Sequence, residues 1–222
     1  MKNRYGKNLR DFNQHILQLT PANETLRLVV AYEFAKLHTS KKRTLEIGCG
    51  EGDSAKYLLE NSKANIDLLD SSPEMVALCK KALRNFSQRT TYICEDALTY
   101  LEKSSPYDLI FSEWTIHNFS WQEKRELLYA IYNNLKPGGS FILMDKVYQD
   151  KNARQSLDVQ LKRFSYLPKK VAQAIIAHEE QDFQVEFRMS QKQFLSELKK
   201  VGFTSVTLID RVERDVVIVA EK

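Results

Sequence analysis

The sequence predicts an α/β protein, a doubly wound and mostly parallel sheet that closes with a C-terminal antiparallel hairpin and carries N-terminal helices and a helical cap. Two observations carry this expectation. Strand-like apolar runs alternate with helical periodicity roughly every 20 to 30 residues between residues 43 and 147, the pattern of right-handed βαβ units around a parallel sheet. Five of the seven glycines fall in two clusters, Gly48-Gly50-Gly52 and Gly138-Gly139, and each cluster adjoins a strand-like run. A chain of 222 residues that is 43% hydrophobic suits one domain with its own core, so residues 1–222 read as a single unit.

Each element follows in order. Between Asn13 and Thr39 the apolar positions Ile16, Leu17, Leu26, Val29, Val30, Phe34 and Leu37 recur at helical spacing, broken at Pro21, so residues 1–42 read as N-terminal helices. Arg43–Ile47 is a short strand running into the first glycine cluster, and Ser54–Asn61 a helix. Ile66–Asp70 is the second strand. Ser72 is placed to cap the next helix, with Pro73 at its first position. Thr91–Cys94 and Asp108–Ser112 are strands three and four, Trp121–Leu135 is helical, Lys136–Gly139 is a turn, and Ser140–Val147 is strand five. Residues 149–189 show no strand and read as an inserted cap, with Leu157, Leu161, Phe164, Leu167, Val171 and Ile175 packing one face. Ser190-Gln-Lys-Gln193 has the form of a capping box opening a helix that stops at Gly202. Val206–Ile209 and Val216–Val219 form the closing hairpin.

Composition excludes several classes. No apolar run approaches the roughly 18 residues of a membrane span, and the polar start from Met1 to Arg10 shows no secretory signal. Cys49, Cys79 and Cys94 are odd in number and lack paired spacing, which argues against a disulfide framework or zinc cluster and for a reducing, cytoplasmic setting. The net charge of +4 is uneven, since residues 1–44 hold nine Lys/Arg against three acids. Such a segment suits either a polyanion or the solvated faces of two helices, and its dispersed charges favour the second.

The chemistry concentrates at Leu45-Glu-Ile-Gly-Cys-Gly-Glu-Gly52. Strand, tight turn and helix N-terminus bring backbone N–H groups to the carboxyl edge of a Rossmann-like sheet, where open α/β folds bind ligands. Asp70, eighteen residues past Gly52, ends the next strand, where a carboxylate accepts hydrogen bonds from ribose hydroxyls. A dinucleotide site wants glycine where Asp53 stands, and an aspartate there opposes a pyrophosphate. Glu46 favours a cationic ligand, and no Gly-Lys-Ser/Thr run exists for a P-loop. A sulfonium-bearing nucleoside with a free amino group fits best.

The stretches LEIGCGEGDSAKYLL, IDLLDSSPEMV, CEDA at 94–97, YDLIFSEWTIHNFSWQEKRELLYAIYNNLKPGGSFILMD and the terminal GFTSVTLIDRVERDVVIVAEK resemble the class I S-adenosylmethionine-dependent methyltransferases. A weaker likeness runs to the carboxy-S-adenosylmethionine synthase group. The resemblance implies S-adenosyl-L-methionine as cofactor. By matching position, Glu46, Gly48, Gly50 and Gly52 would surround its methionine moiety, Asp70 would bind the ribose and Met75 would pack near the adenine. Asp96 would bond the adenine amino group, Ala97 would supply backbone contacts, Ser112 would border the cofactor and the substrate mouth, and Cys49 and Ser71 complete the set.

Methyl transfer is an in-line displacement that needs a general base only when the nucleophile carries a proton. His117 is the catalytic candidate, although a pocket-shaping histidine bonded to backbone fits the same position. His178, beside Glu179 and Glu180, reads as a solvated cap face, and no His/Asp cluster indicates a metal. Trp114, Phe119 and Trp121 suit core packing or stacking on an acceptor. Ser112-Glu-Trp-Thr115 lacks the patterns of amino-methylating and C5-methylating nucleic-acid enzymes, so the expected acceptor is a small molecule. The alternatives are an RNA-modifying methyltransferase, motivated by the basic leading segment, and a cofactor-binding protein without turnover.

Overall fold

The computed structural model describes residues 43–222 together with Leu26, Val29, Val30, Glu33 and Phe34. Seven strands form one sheet: β1 (Arg43–Ile47), β2 (Asn65–Asp70), β3 (Thr90–Cys94), β4 (Tyr107–Glu113), β5 (Leu135–Lys146), β6 (Ser205–Val212) and β7 (Asp215–Glu221). Their order is β3-β2-β1-β4-β5-β7-β6. The first five strands pair in parallel, whereas β7 runs antiparallel to β5 and to β6, which closes the predicted hairpin. Between the strands lie α1 (Asp53–Asn61), α2 (Pro73–Ala82), α3 (Ala97–Lys103), α4 (Trp121–Asn133), α5 (Ala153–Phe164), α6 (Lys169–Asp182) and α7 (Gln191–Val201).

Central strands are buried on both faces, which is why they read as continuous apolar runs. Alternation along β4, β5 and β7 divides the core in two. Ile110, Phe141, Leu143, Val216 and Ile218 face one layer with Leu127 and Ile131 of α4. Leu109, Phe111, Ile142, Met144 and Val217 face the other with Leu58 and Leu59 of α1. Of the expected N-terminal helices over 1–42, five helical positions are described and the rest lie outside the described residues. Leu26, Val30 and Phe34 are buried in the second layer, and Phe34 meets Phe111 edge-on at 5.7 Å between ring centroids.

Two local expectations need correction. Lys136–Gly139 is not a separate turn: β5 begins at Leu135, and these residues bulge out where pairing shifts from Tyr107↔Leu135 to Leu109↔Ser140. Gly138 carries the positive φ of 73° that this bulge requires. Ser190 does sit at the N-cap of α7, yet its hydroxyl donates to Asp150 Oδ1 at 2.6 Å instead of closing a capping box. The bond to Asp150 fixes the hydroxyl rotamer toward the cap loop and away from the N–H groups of the first turn of α7. The true capping box is Ser120 with Glu123 at the start of α4.

The cap expected over 149–189 is helical, built of α5 and α6, and Leu157, Phe164 and Ile175 are fully buried while Leu161, Leu167 and Val171 are half-buried. Backbone bonds tie its end to the sheet: Tyr148 N–H donates to the Met189 carbonyl and Gln191 N–H to the Tyr148 carbonyl. Lys124 of α4 ties it further. That side chain is wholly buried, and its Nζ donates to the carbonyls of His117 (3.1 Å), Phe187 (2.8 Å) and Phe119. A buried ammonium holding three carbonyls joins α4, the turn after β4 and the exit of the cap. Replacing it by methionine keeps the stem but leaves those carbonyls short of a donor. Lys124→Met is therefore expected to cost about 2–4 kcal/mol, read as a lower urea midpoint at unchanged slope.

Candidate active site

The carboxyl ends of β1, β2 and β4 meet where the strand order reverses, the switch point at which open α/β sheets bind ligands. Here the glycine loop folds back on β2. The N–H groups of Gly48 and Cys49 donate to the Leu69 carbonyl at 2.8 and 3.0 Å. Asp70 clamps the next turn, its Oδ2 accepting from Gly50 N–H at 3.0 Å and its Oδ1 from Ser72 N–H at 2.9 Å. Burial pushes the Asp70 carboxyl up from the ordinary range, and the N–H groups of Ser72, Gly50 and Ser71 counter it.

The three glycines answer to different constraints. All have positive φ, at 77°, 50° and 89° for Gly48, Gly50 and Gly52. A Cβ on Gly48 would fall 2.1 Å from Thr115 Oγ1, and one on Gly52 would fall 2.8 Å from Cys79 Sγ and 3.2 Å from Leu83. Those two glycines let the loop pack against the turn after β4 and against α2. A Cβ on Gly50 meets nothing within 4 Å. Gly50 is where the loop backbone faces open space.

Around this loop the structure distributes the other expected residues. Glu46 is buried beneath it and Ser71 is half-buried beside Asp70. Met75 is buried on α2 with its N–H on Ser72 Oγ at 3.3 Å, so Ser72 and Pro73 cap that helix as expected. Asp96 caps α3, its Oδ1 accepting from Leu98 and Thr99 N–H, and Ala97 packs against the core. Cys49 is buried; its hydrogen bond to Cys79, reinforced by burial, drives the thiol far up, which keeps it protonated and unreactive. Ser112 departs from expectation. It is fully buried, and its hydroxyl donates to the Ile47 carbonyl at 2.9 Å, so it ties β4 to β1 and does not line a mouth.

Beyond β4 the chain is strained. Trp114 has φ of 42°, its N–H bonded to the Met144 carbonyl and its indole Nε1 to Asp215 Oδ1 at 2.9 Å. Trp114, Phe119 and Trp121 all pack on the two core layers. His117, in the 3₁₀ turn Ile116–Asn118, is nearly buried. Asp145 near the end of β5 grips it twice, with Oδ1 at 2.6 Å from Nδ1 and Oδ2 accepting the His117 N–H at 3.0 Å. Its other ring nitrogen, Nε2, lies 3.7 Å from Asp182 Oδ2 of the cap.

His178 and Glu179 do not form a solvated face. Both are buried, as is Asp182, and of the expected charged face only Glu180 reaches the rim, paired with Arg154. Lys146 Nζ lies 2.7 Å from Asp182 Oδ2 and 3.2 Å from Glu179 Oε1, and Arg214 donates to Glu179 Oε2 and to the Tyr148 hydroxyl. Burial opposes ionisation of Glu179, but Arg214 and Lys146 hold its carboxyl well below the carboxylate range. Burial pushes His178 down to about 4, so it is neutral near pH 7. No His/Asp cluster is visible along the sequence, yet the fold brings His117, His178 and Asp182 together. The helical i,i+4 spacing of His178 and Asp182 was the available signal; their meeting with His117 depends on how the cap docks.

The loop geometry separates binding from packing. Gly50→Val is expected to leave a folded protein with cofactor binding abolished, since its side chain enters open space at the cost of a strained φ, about 1–2 kcal/mol. Gly52→Ala, which drives a methyl into Cys79 and Leu83, is expected to lower the melting temperature further. Thermal unfolding paired with calorimetry of S-adenosylhomocysteine checks both.

Known proteins share this chain's family and fold. The methyltransferase domain family matches residues 44–139. The chain is 32% identical over 184 residues, 76% of its length and 67% of the relative's, to malonyl-acyl-carrier-protein O-methyltransferase 1 of Ilyobacter polytropus. It is 25% identical over 65% of its length, and 61% of the relative's, to carboxy-S-adenosyl-L-methionine synthase of Shewanella piezotolerans. An O-methyltransferase family protein of Burkholderia thailandensis shares the fold, with a TM-score of 0.71 at 14% identity over 99% of this chain and 61% of that one. The chain spans about half the length of several curated relatives it matches. With the glycine loop, the acid at the end of β2 and this sheet order, the chain belongs to the class I S-adenosylmethionine-dependent methyltransferases, whose cofactor is S-adenosyl-L-methionine.

Proposed function

We propose that the chain transfers a methyl group from S-adenosylmethionine to a small-molecule acceptor seated between the glycine loop and the cap of residues 149–189. The observation that carries this reading is Gly50, whose positive-φ backbone faces open space at the switch point while Asp70 grips its N–H. When bound, the cofactor supplies an electrophilic methyl group on a sulfonium. The residues present fit such a group. Glu46, buried under the loop, places an acid beside a cationic centre, and Asp70 has carboxylate lone pairs beyond its backbone donors for ribose hydroxyls. Gly48, Cys49, Gly50, Gly52 and Ser71 shape the loop, Met75 and Ala97 wall the adenine side, and Asp96 would take the adenine amino group. Ser112 holds the loop in place from beneath.

The protein's further contribution is positioning and exclusion of water. Where the acceptor carries a proton, His117 takes it on Nε2, with Asp145 fixing the tautomer from the other side of the ring. The name of the Ilyobacter relative, an O-methyltransferase, supports an oxygen acceptor. Cys49, Cys79 and Cys94 are free thiols, which suits a reducing compartment and a cytoplasmic reaction. No helix among the described residues is long and apolar enough to cross a membrane.

Two measurements test the reading. Asp70→Ala is expected to weaken S-adenosylhomocysteine binding by about 1–3 kcal/mol in calorimetry, the cost of leaving buried partners unpaired; unchanged affinity removes Asp70 from the ribose role. Incubation with methyl-labelled cofactor should label a component of a metabolite extract. Label entering bulk tRNA instead favours the RNA-modifying alternative, and binding without any label leaves a cofactor-binding protein.

A further inference from the structure

We propose that His117, His178 and Asp182 form a binding site for a divalent transition-metal cation, which fastens the cap helix to the turn after β4. Their donor atoms converge: one ligand atom from each residue lies within 4.8 Å of the other two. Asp182 Oδ2 is 3.3 Å from His178 Nε2 and 3.7 Å from His117 Nε2. Ligands bonded at about 2.0–2.2 Å to a tetrahedral ion stand roughly 3.3–3.5 Å from one another, so both Asp182 distances lie within tenths of an ångström of that spacing.

The surroundings support the donors. Asp145 holds His117 Nδ1 at 2.6 Å, the carboxylate–histidine arrangement that turns the lone pair of Nε2 toward a metal. His178 and Asp182 stand one turn apart on the buried face of α6, so both side chains project to the same side. The buried carboxylates Asp145, Glu179 and Asp182 face the buried cations Lys146 and Arg214, and Lys124 holds the His117 carbonyl from below. Lys146 shares Asp182 Oδ2 at 2.7 Å, and its second contact with Glu179 at 3.2 Å keeps the ammonium paired when a metal takes one lone pair of that oxygen. Two imidazoles and one carboxylate select borderline ions such as zinc, cobalt(II) or iron(II) over magnesium or calcium, which prefer all-oxygen shells. Three protein ligands leave a fourth position for an oxygen ligand, either water or the acceptor. While the cation is held, His117 is a ligand and not a base; only that last consequence rests on the proposed methyl transfer.

The test uses the full chain, stripped with a chelator and titrated with zinc by calorimetry and with cobalt(II) by visible absorption. The expected result is one zinc per chain with a Kd below about 1 μM, a raised melting temperature, and the intense visible bands of low-coordinate cobalt. His178→Ala should weaken zinc at least about 100-fold, and Asp145→Asn about 10–100-fold through the ring it orients. Absence of stoichiometric binding overturns the proposal, as does binding that His178→Ala leaves unchanged. Should His178→Ala fail to fold, the wild-type cobalt spectrum decides, and weak octahedral bands overturn the site. Because no readout involves methyl transfer, failure here leaves the proposed function standing, and a failed transfer assay leaves the metal site standing.

Discussion

Burying charge is expensive, and the way this protein meets that expense governs how its cap sits. Lys146 at the end of β5 and Arg214 before β7 are both nearly inaccessible, and in water-poor surroundings each ion costs several kcal/mol to desolvate. Glu179 accepts from both, and Asp182 from Lys146. The cluster stabilises only when complete, because a lone charge left in that space would be far worse than none. The cap is therefore docked by an all-or-none electrostatic lock that fixes the azimuth of α6, with apolar contacts such as Tyr148 against Phe183 filling the remaining surface. An apolar interface alone would tolerate sliding; point charges at 2.7 Å do not.

That lock reaches the site through β5. Asp145 and Lys146 are consecutive, so their side chains leave opposite faces of the strand direction while both remain buried. Lys146 engages the cap and Asp145 engages His117, which makes the end of one strand responsible for both the position of α6 and the orientation of the ring beneath it. Trp114 adds a second constraint. Its left-handed φ is costly for a bulky residue, and it is held by a backbone bond to Met144 and an indole bond to Asp215. Strain of this kind, at the carboxyl end of β4, turns the chain sharply enough for Thr115 to cover Gly48 and for His117 to face the cap.

Much of this was legible in the sequence, and the failures have a common cause. The first four strands emerged within one residue because buried parallel strands leave apolar runs, whereas β5 starts five residues early at its bulge and β6 ends three residues later; the glycine loop and Asp70 were legible because loop closure constrains residue type locally. Ser112, Ser190 and His178 were misread because their partners are remote. Ser112 bonds a residue 65 positions away and Ser190 one 40 positions away. His178 looks like a solvated position beside two glutamates until the cap is docked, whereupon it meets His117 and Asp182. Polar residues reveal little of their destination through local pattern, since a hydroxyl or imidazole suits either solvent or a remote partner.

Cofactor and acceptor sides of the site thus depend on different physics. The cofactor side is built from backbone, with turns that need glycine, N–H groups clamped by one carboxylate, and packing that a single methyl would break. Such a surface resists change because it depends on conformation at each residue. The proposed acceptor side is built from side chains on the cap and the turn after β4, whose charges pair with Lys146 and Asp145 at the end of β5. Carbonyls gripped by Lys124 anchor the boundary between the two. On the proposed reading, a fold divided in this way keeps one methyl donor while its cap is revised for new acceptors, provided that the buried charges in the lock remain paired.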